Sequence, residues 1–380
     1  MDSPTLTAPV DSANPAEPAP PATRPRPSLP AAKPRHTATR RVVLFTVLAV
    51  ALVVTVIASG SVGQLGIPAQ EVLGSLLHRV GIDWFPMPEH PMGDQTLWTI
   101  RFPRVAMAAL VGAGISVAGL IMQAIFGNPL AEPGVIGISS GAAVGAGIAI
   151  VTGITIFGEW TTATFAFVGA LAATIIVYAM SRAEGRTEVV TLVLTGIAIN
   201  AVAGAAIAFL TFMGNTQSRE QIVFWQLGSM SGSRWSQVLV VAPVVAIGVL
   251  IAYLVSHKMD LLSLGERNAR FLGVNVEVLR IGMIFVVAIL TGVAVAFAGI
   301  ISFVGLVVPH AMRMILGPAH KPLVIASALG GALLLSVADL AARTMVSNAE
   351  LPIGILTALV GGPFFFWLLR RARKGSGGWG

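Results

Sequence analysis

Residues 98–145 read WTIRFPRVAMAALVGAGISVAGLIMQAIFGNPLAEPGVIGISSGAAVG. From Val105 to Phe126 no residue carries a charge, and a run of this length meets the roughly 20 apolar residues a helix needs to cross a bilayer. The turn that follows, Asn128 to Gly134, holds two prolines and a glycine, which stop helices and fix a rigid connection. A second apolar run begins directly after it. Lipid offers the backbone no hydrogen-bond partner, so both runs must be helical.

Working outward, the same pattern recurs at 42–60, 103–125, 135–153, 163–181, 190–212, 237–256, 279–299, 301–316, 322–338 and 352–369, with the eighth segment the shortest. Of the 380 residues, 55% are hydrophobic and only 11% charged, and the mean hydropathy is +0.83. Soluble domains carry about 25% charged residues, so a water-soluble enzyme is excluded. The fold class expected is all-α and polytopic, with about ten transmembrane helices. Residues 1–41 are proline-rich with almost no large apolar side chain, and read as a disordered cytoplasmic tail. Their order is wrong for a secretory signal. Residues 42–372 form the membrane domain, and 373–380 a short cytoplasmic tail.

Orientation follows from Lys and Arg. With a cytoplasmic N-terminus, eighteen of the 24 basic residues fall on the inner side, leaving Arg79, Arg101, Arg104, Arg219, Arg234 and Arg343 outside. The positive-inside rule then places both termini in the cytoplasm. Small residues four apart, Gly112 and Ser116, Gly141 and Gly145, Gly292 and Ala296, let helix backbones approach closely.

Several chemistries are excluded. No cysteine is present, so disulfides, thiolate metal sites and thiol nucleophiles are out. The six histidines are scattered without metal-binding spacing. No lysine follows a glycine as a phosphate-cradling loop demands, so ATP hydrolysis belongs to another polypeptide. The acidic residues nearest the spans, Glu132, Glu188, Asp339 and Glu350, are expected at span ends or in loops, which argues against an ion relay and hence against a stand-alone ion-coupled carrier. A lipid-modifying enzyme would need a nucleophile and base or a metal cluster, and none is visible.

Pro103 suits the first turn of a helix, which puts Arg101 and Arg104 at the outer start of the second span. Cations are disfavoured there by about 0.3–1 kcal/mol each, so something must hold them. The choices are lipid phosphates, Asp94 or another outer carboxylate, or an acidic external partner. Arg343 stands four residues from Asp339, which allows either an internal ion pair or a place in the same basic dock. Asn128 and Leu130, in the inner turn, are either a plain connector or a constriction. In the inner loop at about 257–277, Gly265 and Gly273 read as the ends of two short amphipathic helices that cover the bundle or receive a partner.

RFPR, QAIFGNPLAEPGVIGISSGA, DLLSLGERNARFLGV, GIISFVGLVVPHAMR, ADLAAR and ELPIGILTALVGGPFFF together closely resemble the permease subunits of bacterial ABC importers for iron-siderophores, haem and cobalamin, from about residue 42 to 372. That resemblance implies a cytoplasmic-membrane subunit pairing with a second copy or a paralogue around a central path. It further implies two ATPase subunits inside and a substrate-binding protein outside. It implies docking of that protein on Arg101, Arg104 and Arg343, and an inner gate at Asn128 and Leu130 together with the loop between spans four and five. Coupling to the ATPase would pass through Asp260, Leu264, Gly265, Glu266, Ala269, Leu272 and Gly273. Iron-siderophore is the expected cargo, with haem or cobalamin as alternatives. This chain binds no cofactor of its own, ATP being used by its partner; lipid surrounds it, and nucleic acid is not expected as a partner.

Overall fold

The computed structural model describes residues 35–183, 186–346 and 349–375. In chain order the helices are α1 (Arg35–Ser61), α2 (Ala69–His78), α3 (Gly93–Thr96), α4 (Phe102–Phe126), α5 (Ile138–Thr152), α6 (Thr161–Met180) and α7 (Val189–Met213). There follow α8 (Thr216–Leu227), α9 (Trp235–Leu262), α10 (Glu266–Phe271), α11 (Val276–Ala298), α12 (Val304–Leu316), α13 (His320–Ala342) and α14 (Ile353–Gly375). Among the described residues seven helical runs are long and apolar enough to cross a membrane, and Ile138–Thr152, Val304–Leu316 and Ile353–Trp367 are shorter apolar helices. Each of the ten apolar segments read from the sequence falls on one of these. The tail expected at 1–41 lies outside the described residues up to 34, and its last residues already belong to α1. The C-terminal tail expected at 373–380 splits likewise: α14 runs to Gly375, and 376–380 lie outside the described residues.

Helix ends meet as alternating crossings require. At the outer end, as the Lys and Arg assignment defines it, Arg343 after α13 donates to the Ser59 carbonyl of α1 at 2.7 Å. At the inner end, the His320 amide that opens α13 donates to Asp260 Oδ1 near the end of α9 at 2.8 Å.

The core is built around α4, which has 20 of its 25 residues buried and packs against α9, α11, α12 and α13. A helix apolar on every side is buried on every side. Small residues set how near its neighbours come: a Cβ placed on Gly112 would stand 2.1 Å from the Gly331 carbonyl oxygen of α13, so only glycine fits. Gly145 of α5 meets the Phe165 carbonyl of α6 as closely, at 2.0 Å from an added Cβ. By contrast α7 buries only Leu192, Gly196 and Ala203.

Two expectations are corrected. The second span does not begin at Pro103; helix runs without interruption from Gly93 to Phe126. A π-helical turn at Leu97–Arg101 makes this possible, with the Phe102 amide bonding to the Leu97 carbonyl five residues back. The widened turn gives Pro103 room where a regular α-turn would clash with its ring. Arg101 and Arg104 are therefore inside a helix, and the dipole penalty on a helix start does not apply to them. Second, the apolar segment at 301–316 is helical only from Val304: residues 299–303 are irregular, and Phe303 takes a left-handed φ of 68° immediately before the helix. Thirteen residues give α12 a length of about 20 Å, short of the hydrocarbon thickness.

Candidate functional site

At the outer end, the π-helical turn carries Arg101 and the start of α4 carries Arg104, the end of α13 carries Arg343, and the segment leading to α14 carries Glu350. All four line one recess of about 490 Å³. Sequence reasoning chose the three arginines, and the structure brings them together, but each already donates hydrogen bonds within its own chain, with Arg343 Nε left buried and without a hydrogen-bond partner. Arg101, 5% exposed, donates to the carbonyls of Gly60 and Leu65. Arg343 donates to the carbonyls of Val62 at 2.9 Å and Ser59 at 2.7 Å. Arg104 directs Nε at both oxygens of Asp339, at 2.9 and 3.1 Å, and Nη1 at Glu350 Oε1, at 2.8 Å.

Asp339 was expected near a span end and is fully buried in the last turns of α13. Its hydrogen-bonding partner is Arg104 on another helix, while Arg343, its neighbour four residues along, stays 3.9 Å away. Asp94, the other carboxylate considered for the arginines, accepts from Ser75 instead. Glu350, which the sequence placed near a span end without naming a partner for it, is the second carboxylate on Arg104. Its side chain is 46% exposed, against 0% for Asp339. The hydrogen bond from Arg104 holds the Glu350 carboxyl below its ordinary range, opposed by partial burial. The recess is thus a closed charge cluster with one member at the rim.

At the inner end, the Leu130 amide donates to Asn128 Oδ1 at 2.9 Å, and the Ala131 amide to the Asn128 carbonyl at 3.1 Å. Asn128 folds the turn on itself, the habit of asparagine before proline. Its outward side faces a cavity of about 360 Å³ whose far wall is the first turns of α7: Val189, Val190, Val193 and Leu194. Those apolar residues stand where the loop after the fourth apolar segment passes into the start of the fifth, and they form the wall opposite Asn128 and Leu130, to which the sequence assigned no residue. Near this turn, burial pushes the Glu132 carboxyl up from its ordinary range.

The inner loop forms one short helix, not two. Residues 257–262 continue α9, while Gly265 (φ 99°) and Gly273 (φ 85°) bracket α10 in the left-handed conformations that suit glycine. The seven residues expected to couple to a partner divide accordingly. Leu264, Gly265, Leu272 and Gly273 are exposed, Leu264 by 58% and Leu272 by 57%. Phe271, 77% exposed, joins them and was overlooked, although an aromatic directly before Leu272 was the available signal. Ala269 is fully buried, and Asp260 is spent on His320, through its amide and its ring Nδ1 at 2.7 Å. Glu266 turns toward Arg280 of α11, with Arg270 a further 3.4 Å partner.

Comparison with known proteins places these features in a common frame. A family model described as the FecCD transport family matches residues 51–371. The hemin transport system permease protein HmuU of Yersinia pestis is 43% identical over 286 residues, 74% of this chain and 85% of its own. The cobalamin import system permease protein BtuC of Halobacterium salinarum is 42% identical over 275 residues, 72% of each chain. A solved structure described as an inward-facing conformation of a metal-chelate type ABC transporter superposes with a TM-score of 0.76 at 32% identity, covering 87% of this chain and 99% of that one.

Proposed function

The chain belongs to the FecCD transport family, as a multi-pass permease of the cytoplasmic membrane, and on that premise we propose that it forms the translocation path of an ATP-driven importer of metal chelates. Two copies, or one copy and a paralogue, enclose the path. ATPase subunits seat on α10 from the inner side, and a substrate-binding protein docks on the outer arginine recess. Cycles of nucleotide binding and hydrolysis then open the inner turn at Asn128 and Leu130.

The observation that carries the ATP-driven part is α10. Leu264, Phe271 and Leu272 expose large apolar side chains on a charged loop at the end where water begins. Exposed apolar groups rimmed by polar ones mark protein contact sites. On the outer side, the geometry favours an exchange. Arg101 and Arg343 are bound to backbone carbonyls and Asp339 is buried, whereas Glu350 is half-exposed. An incoming carboxylate would take the place of Glu350 on Arg104.

For the cargo, two relatives above 40% identity are named for hemin and cobalamin, which supports a tetrapyrrole-type chelate alongside the iron-siderophore expected from the sequence. Proteoliposomes containing the chain with its ATPase subunits, offered hemin, cyanocobalamin or a ferric siderophore, test both points. ATP-dependent accumulation of one of them is expected, with none when the ATPase subunits are left out. Accumulation against a gradient by the chain alone would overturn the proposal.

A further inference from the structure

Between α10 and the cavity beside Asn128 lies a recess of about 1220 Å³ whose walls include Glu266, Phe271, Arg280, Glu277, Thr187 and Val190. It joins the surface that meets water to the start of α7. The polar groups in its wall form a continuous chain. Arg280, its side chain only 4% exposed, donates through Nη2 to Glu266 Oε1 on α10. Through Nη1 it donates to the Thr187 carbonyl at 2.9 Å. Thr187 is held a second time by Glu277, which accepts its Oγ1 at 2.5 Å and its amide at 3.2 Å. Two residues later α7 begins, and Val189, Val190, Val193 and Leu194 face the inner turn.

From this arrangement we propose that Arg280 is a positioning residue that ties the displacement of α10 to the start of α7, and so to the width of the opening at Asn128 and Leu130. The inference rests on the reading of α10 as the ATPase seat. Three physical features favour it. The links are charge-assisted hydrogen bonds, roughly twice as strong as neutral ones. Arg280 is planar and presents a fixed fork, so it holds Glu266 and the Thr187 carbonyl in set directions. The helix it would move, α7, has few buried residues to resist. Val189 itself is an apolar wall with no polar contact to α10, so the tie runs through the side chains of α11.

The absence of cysteine makes a direct test clean. Leu130→Cys and Val190→Cys are introduced together, and the chain is reconstituted with its ATPase subunits. Cross-linking by a bifunctional thiosulfonate is measured with and without ATP and vanadate. Nucleotide is expected to change the cross-link yield in this parent. In Arg280→Gln that change is expected to be lost while ATP hydrolysis and co-purification of the ATPase persist. Arg280→Lys, which keeps a charged donor able to reach Glu266 or the Thr187 carbonyl but lacks the planar fork, is expected to retain part of it. Glu277→Gln, which loosens Thr187 from the other side and leaves the Glu266–Arg280 pair in place, is expected to reduce it, so the result does not depend on one variant folding. A full nucleotide response in both Arg280→Gln and Glu277→Gln overturns this inference alone. No response in the parent overturns the reading of α10 along with it.

Discussion

The two ends of the bundle handle charge in opposite ways. At the outer end three arginines and two carboxylates close on themselves, and every arginine reaches a carbonyl or a carboxylate of its own chain. At the inner end Glu266 of α10 turns toward Arg280 of α11, and apolar side chains are left in water. An end that satisfies itself is stable in isolation and must exchange a bond to take a partner. An end that exposes Leu264, Phe271 and Leu272 is incomplete until something covers it.

That contrast is open to direct attack. The largest effect should come from Asp339→Ala, which leaves Arg104 buried without its main partner and should destabilise the protein by about 3–5 kcal/mol. Thermal melting in detergent reads it, and an unchanged melting temperature would mean that the outer cluster does not hold the fold. Next, Leu264→Glu with Phe271→Glu should weaken association with the ATPase subunits by about 2 kcal/mol or more, roughly thirtyfold, without altering the melt. Co-purification at graded concentrations measures this; a lowered melting temperature instead would show that these side chains pack within the chain. The smallest effect is expected from Glu350→Gln, which removes the charge and weakens the hold on Arg104 Nη1 at the rim. Docking of the substrate-binding protein should tighten by roughly two- to fivefold, the scale of a half-exposed ion pair. Surface plasmon resonance on nanodisc-embedded complex can resolve that change, and weaker docking would assign Glu350 to the contact itself.

Much of the fold was legible because membrane helices announce themselves locally. An apolar run bounded by Asn128-Pro129 or by a charged loop needs no knowledge of its neighbours, and the spacing of Gly112 and Ser116 already signalled close approach. What escaped was set by distant partners. Nothing near Arg104 in the chain indicates that Asp339 and Glu350, 235 and 246 residues away, will share its guanidinium. Local rules misplaced Arg101 and Arg104 for the same reason: Pro103 does favour a helix start, but the π-helical turn and the packing around Leu97 extend the helix past it. In the inner loop, composition indicated an amphipathic surface but not that Glu266 points to Arg280, since pairing of that kind depends on where α11 lies.

The contact between Gly112 and Gly331 limits how this molecule can deform. Where these two glycines meet, backbone lies against backbone, and α4 and α13 have no compliant layer at that point to absorb sliding. A slip of one helical turn, about 5.4 Å, would drive Ala108 or Ser116 into space that admits only hydrogen. Those two helices therefore travel as a single stiff plate, and any widening of the path has to occur along seams where side chains still lie between the partners.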